Sequence, residues 1–396
     1  MKNQFKKTIV LLSTILMAGF FLFSCGDSQK KAEDEAKPAQ SAKMGAALSA
    51  PIKLGVAGPH SGDLASYGIP TVNAAKLVVR KINEKGGILG QKVELMIEDD
   101  VCKPEVATNT ATKLVSGDVD VVLGHICSGA TKAAMGIYKE SKVIVMSPSA
   151  TNPALTQSGL YSNFYRTIAS DDAQAKLEVD FALDVLKLSK IAVIHDKGDY
   201  GKGLAEFAKA FLEKSGRAEV VLYEGVTPGA MDYSAVVQKI KRSGAEAVIF
   251  GGYHPEASKI ITQMRKKKMD IAFISDDGVK DVTFIKVAGK YAEGAYATGP
   301  KDTSDNPLTI MATEEHKNEF GEDPGAFYLN AYSAAIALLN AIEKSGSVEY
   351  DAIEKALRSE YVETPLGKIS FDARGDAIGV GFSMYQVKNG EYVEVN

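Results

Sequence analysis

The residues able to do chemistry cluster in short loops that follow apolar, strand-like runs. Gly124-His125-Ile126-Cys127-Ser128-Gly129-Ala130-Thr131-Lys132 has the glycine spacing of a phosphate loop, but its lysine does not adjoin the second glycine. Backbone N–H groups there can cradle an anion, while the grip on a nucleotide is missing. His125 and Cys127 stand at alternate positions of one strand end. Their side chains face the same way, as a nucleophilic thiol and its base require. Gly198-Asp199-Tyr200-Gly201-Lys202-Gly203 reverses the glycine order of a dinucleotide fingerprint. There is no GxSxG, HExxH or EF-hand loop, and the histidines at 60, 125, 195, 254 and 316 have no metal-ligand spacing. No cofactor or metal is therefore expected. What remains are small hydroxylic residues: Ser128, after the run 119–123 and before a helix beginning near Ala130, and Ser149-Ala150-Thr151, after the run 143–146. Ligands of open parallel sheets gather at the carboxyl ends of the strands, where helix N-termini offer free N–H groups to a carboxylate. The same Ser and Thr would serve equally as helix caps.

Such loops need a scaffold, and the hydropathy pattern supplies one. Short runs rich in β-branched residues at 52–57, 93–98, 119–123, 143–146, 190–194, 247–250 and 271–274 read as strands covered on both faces. Between them lie helical stripes. Val72, Ala75, Val79 and Ile82 form one, closed by Lys85-Gly86-Gly87; Asp232 is placed to cap another carrying Val236, Val237 and Ile240. Repeated β-α alternation predicts parallel sheets with right-handed crossovers. Two such series, about 52–165 and 190–298, predict an α/β protein of two similar doubly wound lobes. The last hundred residues predict helices at 308–320, 327–345 and 350–359, then strands at 368–371 and 380–387. Lys388-Asn389-Gly390 should turn the last strand into a hairpin with 392–395. The chain has 396 residues, 45% hydrophobic and 24% charged, the balance of a globular protein, and its net charge of −4 recommends no nucleic-acid partner. The basic run Arg265-Lys266-Lys267-Lys268 reads most simply as a solvated helix C-terminus.

The first fifty residues read as an address and a tether. Lys2, Lys6 and Lys7 precede an uncharged apolar run over 9–23, shorter than the roughly 20 residues a spanning helix needs. It ends in Leu22-Phe23-Ser24-Cys25, which resembles a bacterial lipobox: residues 1–24 would be a signal peptide and Cys25 the lipidated residue. Residues 26–50 carry no aromatic side chain and cannot order themselves by burial. As a flexible coil they give a reach of roughly 25–30 Å, a leash between a membrane and a folded body. Export leaves Cys102 and Cys127 in an oxidising compartment, where they are expected to pair; a free nucleophilic Cys127 is the rival reading.

The segments His60-Ser61-Gly62…Tyr67-Gly68, Ile82-Asn83…Lys85-Gly86-Gly87-Ile88, Asp99-Asp100-Val101-Cys102 and Gly124-His125-Ile126-Cys127-Ser128 follow one another in a recognisable order. Ser147-Pro148-Ser149-Ala150-Thr151-Asn152-Pro153, His195-Asp196-Lys197…Tyr200-Gly201, Gly251-Gly252-Tyr253-His254-Pro255-Glu256 and Asp323-Pro324-Gly325-Ala326-Phe327 continue it. From about Ile52 to the C-terminus the chain resembles the type I periplasmic binding proteins of ABC importers, most closely those for leucine, isoleucine and valine.

That resemblance implies a binding protein rather than an enzyme. Its partners would be a free amino acid, an ABC permease and, through Cys25, a membrane. It implies lobe one at 51–168 plus 300–377 and lobe two at 169–299 plus 378–396, joined by three crossings near 166–172, 297–301 and 375–380. It also implies a division of roles. Ser128 and the loop at Thr151 would hold the ligand carboxylate. The Ser149 carbonyl, the Thr151 hydroxyl and Asp277, registered by Gly278, would hold the ammonium. Tyr67, Ile126, Cys127, Tyr200, Tyr253 and Phe327 would wall the side chain, with the Cys102–Cys127 disulfide beside them. One departure stands out: Asp277 occupies a position where the family's leucine/isoleucine/valine members carry Glu, so its carboxylate is one methylene shorter; Asp276 as the contact, or both acids as loop residues with no ligand role, are the other readings of this pair. A receptor for an amide or urea, a sensory receptor subunit, and an envelope hydrolase using Cys127 and His125 are the alternatives.

Overall fold

The computed structural model describes residues 50–395; the expected signal peptide 1–24, the expected lipidated Cys25 and the expected linker to residue 49 lie outside the described residues. The first series runs β1 (Ile52–Gly58), α1 (Ala65–Glu84), β2 (Val93–Asp99), α2 (Pro104–Ser116), β3 (Val121–Leu123), α3 (Ser128–Glu140), β4 (Ile144–Ser147), α4 (Ala154–Gln157) and β5 (Phe164–Arg166). Its strands form a five-stranded sheet in the order β2-β1-β3-β4-β5, every pairing parallel. Side chains alternate across it, as strand geometry requires. Leu54, Val56, Val121, Leu123, Ile144 and Met146 pack with α1 on one face, while Ala57, Val122 and Val145 pack with α2 and α3 on the other. Both faces are thus covered, which explains the continuous apolar runs.

The second series is α5 (Asp171–Asp180), extended by a π-helical turn (Phe181–Val185), then β6 (Lys190–His195), α6 (Asp199–Ser215), β7 (Glu219–Gly225), α7 (Ser234–Ser243), β8 (Ala247–Gly251), α8 (His254–Lys266), β9 (Ala272–Ser275), α9 (Val282–Ala288) and β10 (Tyr296–Pro300). The parallel part is ordered β7-β6-β8-β9-β10, the same winding as the first sheet. The chain then returns to the first sheet. Helices α10 (Pro307–Phe320), α11 (Tyr328–Ser345) and α12 (Tyr350–Ser359) follow, and Ala334, Ala335, Leu338 and Ile342 of α11 join the core around β1. Strands β11 (Val362–Thr364), β12 (Gly367–Phe371) and β13 (Ala377–Ile378) form a small antiparallel sheet. Finally β14 (Phe382–Lys388) and β15 (Glu391–Val395) add two antiparallel strands beside β10. The chain therefore passes between the two large sheets three times, after Arg166, after Pro300 and after Ile378.

Four local features differ from the sequence reading. The strand expected at 380–387 is β14, which starts two residues later at Phe382, and a separate short strand β13 precedes it, set off by Gly379 with a left-handed φ of +96°. Helix α3 starts at Ser128 itself. Asp232 stands one place before the cap of α7 and accepts the Ser234 N–H at 3.3 Å. Helix α5 gave no apolar stripe because its buried face mixes Ala175 and Val179 with the polar Asp171, Gln174 and Glu178. The basic run behaves as a helix terminus, with Arg265 donating to the carbonyls of Met269 and Ile271 at 2.5 and 3.0 Å.

Candidate ligand-binding site

Between the two sheets, nine residues line one narrow cleft of about 10 Å³: Tyr67, Ile126, Ser128, Ser149, Tyr200, Tyr253, Asp277, Gly278 and Phe327. Tyr67 comes from α1, Phe327 from the turn into α11, and Ile126, Ser128 and Ser149 from loops after β3 and β4. Tyr200, Tyr253, Asp277 and Gly278 come from loops after β6, β8 and β9. Thr151 and Cys127, the other two expected site residues, lie off this lining. Thr151 is fully buried, and Cys127 faces a larger outer cavity that also touches Asp199 and Lys202.

Backbone geometry sets the floor of the first lobe. Ser128 opens α3, whose first N–H groups have no partner within the helix, and its Oγ accepts from the Asn152 N–H at 3.3 Å. Ser149 donates through Oγ to the Ile126 carbonyl at 2.8 Å, tying the two loops together. Beneath them the fully buried Arg166 donates Nη1 to the carbonyls of Ala150, Thr151 and Asn152 at 3.3, 2.7 and 3.2 Å. Its Nε meets Asp376 Oδ1 at 2.6 Å, so the charge is balanced inside the fold. Arg166 positions the whole loop, and no motif marks it.

The second lobe brings the acids. Tyr200 donates its hydroxyl to Asp277 Oδ1 and receives the Gly278 N–H at 3.1 Å. Gly278 must be glycine here, since a Cβ would lie 2.6 Å from the Gly252 carbonyl oxygen and 2.9 Å from the Tyr200 ring. Burial pushes the Asp277 carboxyl up to about 6, and the Tyr200 hydrogen bond pulls it back. Burial and neighbouring like charges push Asp276, Asp171 and Glu178 well above the carboxylate range. Several polar atoms of this wall have no hydrogen-bond partner: Thr151 Oγ1, both oxygens of Asp171, Asp277 Oδ2, Asp276 Oδ1, Gln174 Oε1 and Glu178 Oε2. Asp276 instead accepts the Gly252 N–H at 2.8 Å through Oδ2, which turns that carboxylate toward the backbone.

The two lobes touch across the cleft. Tyr67 donates its hydroxyl to the Gly278 carbonyl, and its ring lies 6.0 Å from Tyr253 and 5.7 Å from Phe327. Ser66 Oγ and His254 Nε2 are 3.3 Å apart. At the outer mouth Lys132 meets Asp199 Oδ1 at 2.9 Å, and Asn152 Nδ2 donates to the Asp199 carbonyl at 2.7 Å.

The Cys127/His125 pair is not formed. Cys127 is bonded to Cys102, with their Cα atoms 5.6 Å apart. His125 is fully buried and engaged at both nitrogens, with Asp100 Oδ2 at 2.6 Å and the Tyr138 hydroxyl at 3.1 Å. That histidine holds the strand end in place and has no thiol to activate.

A protein-family model described as periplasmic binding protein matches residues 51–391. The chain belongs to the periplasmic binding protein family. This binding protein is 36% identical over 335 residues to the leucine-, isoleucine-, valine-, threonine- and alanine-binding protein of Pseudomonas aeruginosa, covering 85% of this chain and 89% of that one. The Leu/Ile/Val-binding protein of Escherichia coli is 34% identical over 339 residues, covering 86% and 91%. A branched-chain amino acid transporter substrate-binding protein of Streptococcus pneumoniae, solved in complex with isoleucine, superposes with a TM-score of 0.79. It shares 28% identity and covers 87% of this chain and 100% of that one. Around the cleft of this binding protein, sequence reasoning missed Arg166, which holds the loop 150–152, and Asp171, buried at the start of α5. The signal that could have found them is a charge standing where a strand end or a helix start is otherwise fully buried.

Proposed function

We propose that this protein is an extracytoplasmic, lipid-anchored receptor that binds a small aliphatic amino acid of the leucine/isoleucine/valine class and delivers it to an ABC permease. It performs no chemistry on the ligand. The observation that carries this reading is the composition of the cleft. A helix N-terminus with a hydroxyl at Ser128 comes from one lobe, a buried carboxylate at Asp277 from the other, and aromatic rings line the space between. A buried zwitterion needs both of its charges met by hydrogen bonds and counter-charge, and this cleft offers both. The apolar wall then adds roughly 0.8 kcal/mol per buried methylene of the ligand side chain. The relatives named above, by what their names say they bind, support the same ligand class.

On this reading residues 51–168 with 300–377 and residues 169–299 with 378–396 move as two bodies about the three crossings. The ligand favours the closed arrangement because each lobe contributes part of its shell. Cys25, following Leu22-Phe23-Ser24, carries the lipid anchor that holds the protein at a membrane. Calorimetric titration of refolded, ligand-stripped protein with the common amino acids, urea and acetamide tests the reading. Tight binding of one aliphatic amino acid with a negative heat-capacity change is expected. Binding of an amide alone would overturn it.

A further inference from the structure

A second cavity, of about 440 Å³, adjoins the cleft and shares Asp277 and Phe327 with it. The cleft itself is narrow, so the room for a long ligand side chain lies in this cavity. Both lobes build it: the loop after β9 on one side and the turn into α11 on the other, with the end of β10 and strand β14 completing the wall. Its lining carries three carboxylates, Asp277, Asp281 and Asp302, and two lysines, Lys280 and Lys301. A surplus of acids draws a second positive charge on a ligand as readily as it draws an α-ammonium. Lys301 is exposed, whereas Lys280 is half-buried, so the inner cation of the cavity is Lys280.

Lys280 is held there by its stem. A Cβ on Gly299 would lie 2.1 Å from the Lys280 Cδ and 2.9 Å from its Cε, so the lysine chain packs directly on the end of β10. The ammonium lies 4.1 Å from the centre of the Tyr385 ring, whose hydroxyl is fixed to the Pro300 carbonyl at 2.6 Å. Among the described residues no acceptor takes a hydrogen bond from this ammonium, and no carboxylate lies within ion-pair distance of it. The acids of the cavity answer to other donors. Asp281 accepts the Thr283 N–H at 2.6 Å, Asp302 the Ser304 N–H at 2.8 Å, and Asp277 the Tyr200 hydroxyl. Burial pulls the Lys280 ammonium below the usual lysine range, while Asp302, Glu394 and Asp277 favour its charged form. A charge that is packed in place yet makes no hydrogen bond acts through its field.

We infer that Lys280 determines specificity: its ammonium holds the place of a second cation beside Asp277, so the cleft takes amino acids with an uncharged side chain and rejects those, such as lysine and ornithine, whose side chain ends in an ammonium. The inference rests on the amino-acid reading above and deepens it by naming what excludes the cationic ligands. Selectivity is a difference of affinities, and a like charge facing the wrong ligand widens that difference without any new contact to the right one. Norleucine has the carbon chain of lysine without its terminal ammonium, so the two ligands differ at the group that Lys280 faces.

The test titrates the ligand-stripped parent, Lys280→Met and Lys280→Arg with L-leucine, L-isoleucine, L-valine, L-threonine, L-alanine, L-norleucine, L-lysine and L-ornithine. Methionine keeps a stem on Gly299 and removes the charge, while arginine keeps the charge. The parent should bind lysine and ornithine at least about 100-fold more weakly than norleucine. Lys280→Met should narrow that ratio by about 10-fold or more, and Lys280→Arg should preserve it. A merely structural role would weaken all ligands together and leave the ratio alone. An unchanged ratio in Lys280→Met therefore overturns the inference. If that variant does not fold, Lys280→Gln takes its place. Equal binding of lysine and norleucine by the parent, tight or weak, overturns the inference without any variant. Failure of leucine, isoleucine, valine, threonine and alanine alike to bind the parent overturns instead the reading on which the inference rests.

Discussion

Tyr67→Phe isolates lobe closure in a single atom. The Tyr67 hydroxyl reaches across the cleft to the Gly278 carbonyl, and the ring is completely buried against Tyr253, Phe327 and His254, whose centroid is 5.4 Å away. Burial pushes its phenol well above the usual range, so it remains a neutral donor at any working pH. Phenylalanine keeps the ring contacts and removes only the donor, leaving a buried carbonyl unmet at a cost of about 1–3 kcal/mol. That cost falls on the closed arrangement alone, because the bond joins residues of opposite lobes. Amino-acid affinity should therefore drop about 5- to 150-fold. The melting temperature of the unliganded protein should hardly move, since the bond contributes nothing to either lobe by itself. Calorimetric titration and thermal melting, run side by side, separate the two effects. Unchanged affinity with a lowered melting temperature would refute the reasoning, because the bond would then belong to the folded core and not to closure.

Three further outcomes are expected. Burial raises the Asp277 carboxyl from 3.8 to about 6, so the unliganded native state keeps a proton that the unfolded chain has lost between those values, and stability falls as pH rises through about 6. Asp277→Asn should therefore raise the unliganded melting temperature at about pH 7.5, with the gain shrinking toward pH 4, while costing roughly 2–5 kcal/mol of amino-acid affinity. Arg166→Met removes the donor from three loop carbonyls and strands Asp376, and should destabilise by about 3–5 kcal/mol in denaturant unfolding while also weakening ligand binding. Replacing Cys102 and Cys127 together by serine opens a loop of sequence separation 25 and should cost roughly 3 kcal/mol of stability, read from the same unfolding curves.

Much of the architecture was legible because covered parallel strands announce themselves as apolar runs. The cores of β1, β3, β4, β6, β8 and β9 all lie within stretches readable from hydropathy. The edge strand β7 was silent, since its residues are half-exposed and carry no uniform apolar signal. Helix α5 was silent for the opposite reason: it is buried, but Asp171, Gln174 and Glu178 stand beside Ala175 and Val179 on that face, and a search for apolar periodicity passes over them. Of the expected site residues, nine line one cleft, while Cys127 and Thr151 stand just outside it. The nucleophile alternative at Cys127 could be settled only where the disulfide and the two partners of His125 are seen together.

The sequence by itself determined the alternation of strands and helices, the division into two series and the loops that carry small hydroxylic residues. Those properties follow from short-range periodicity and chain sterics, which act within a few residues. Only the tertiary structure decided which polar groups are left without partners. Tyr67 and Gly278 are separated by more than two hundred residues, as are Arg166 and Asp376, and neither pairing has any local signature. Burial is a property of everything packed around an atom. A carboxylate becomes a place for an ammonium only when the whole fold has removed water from it and offered nothing in return.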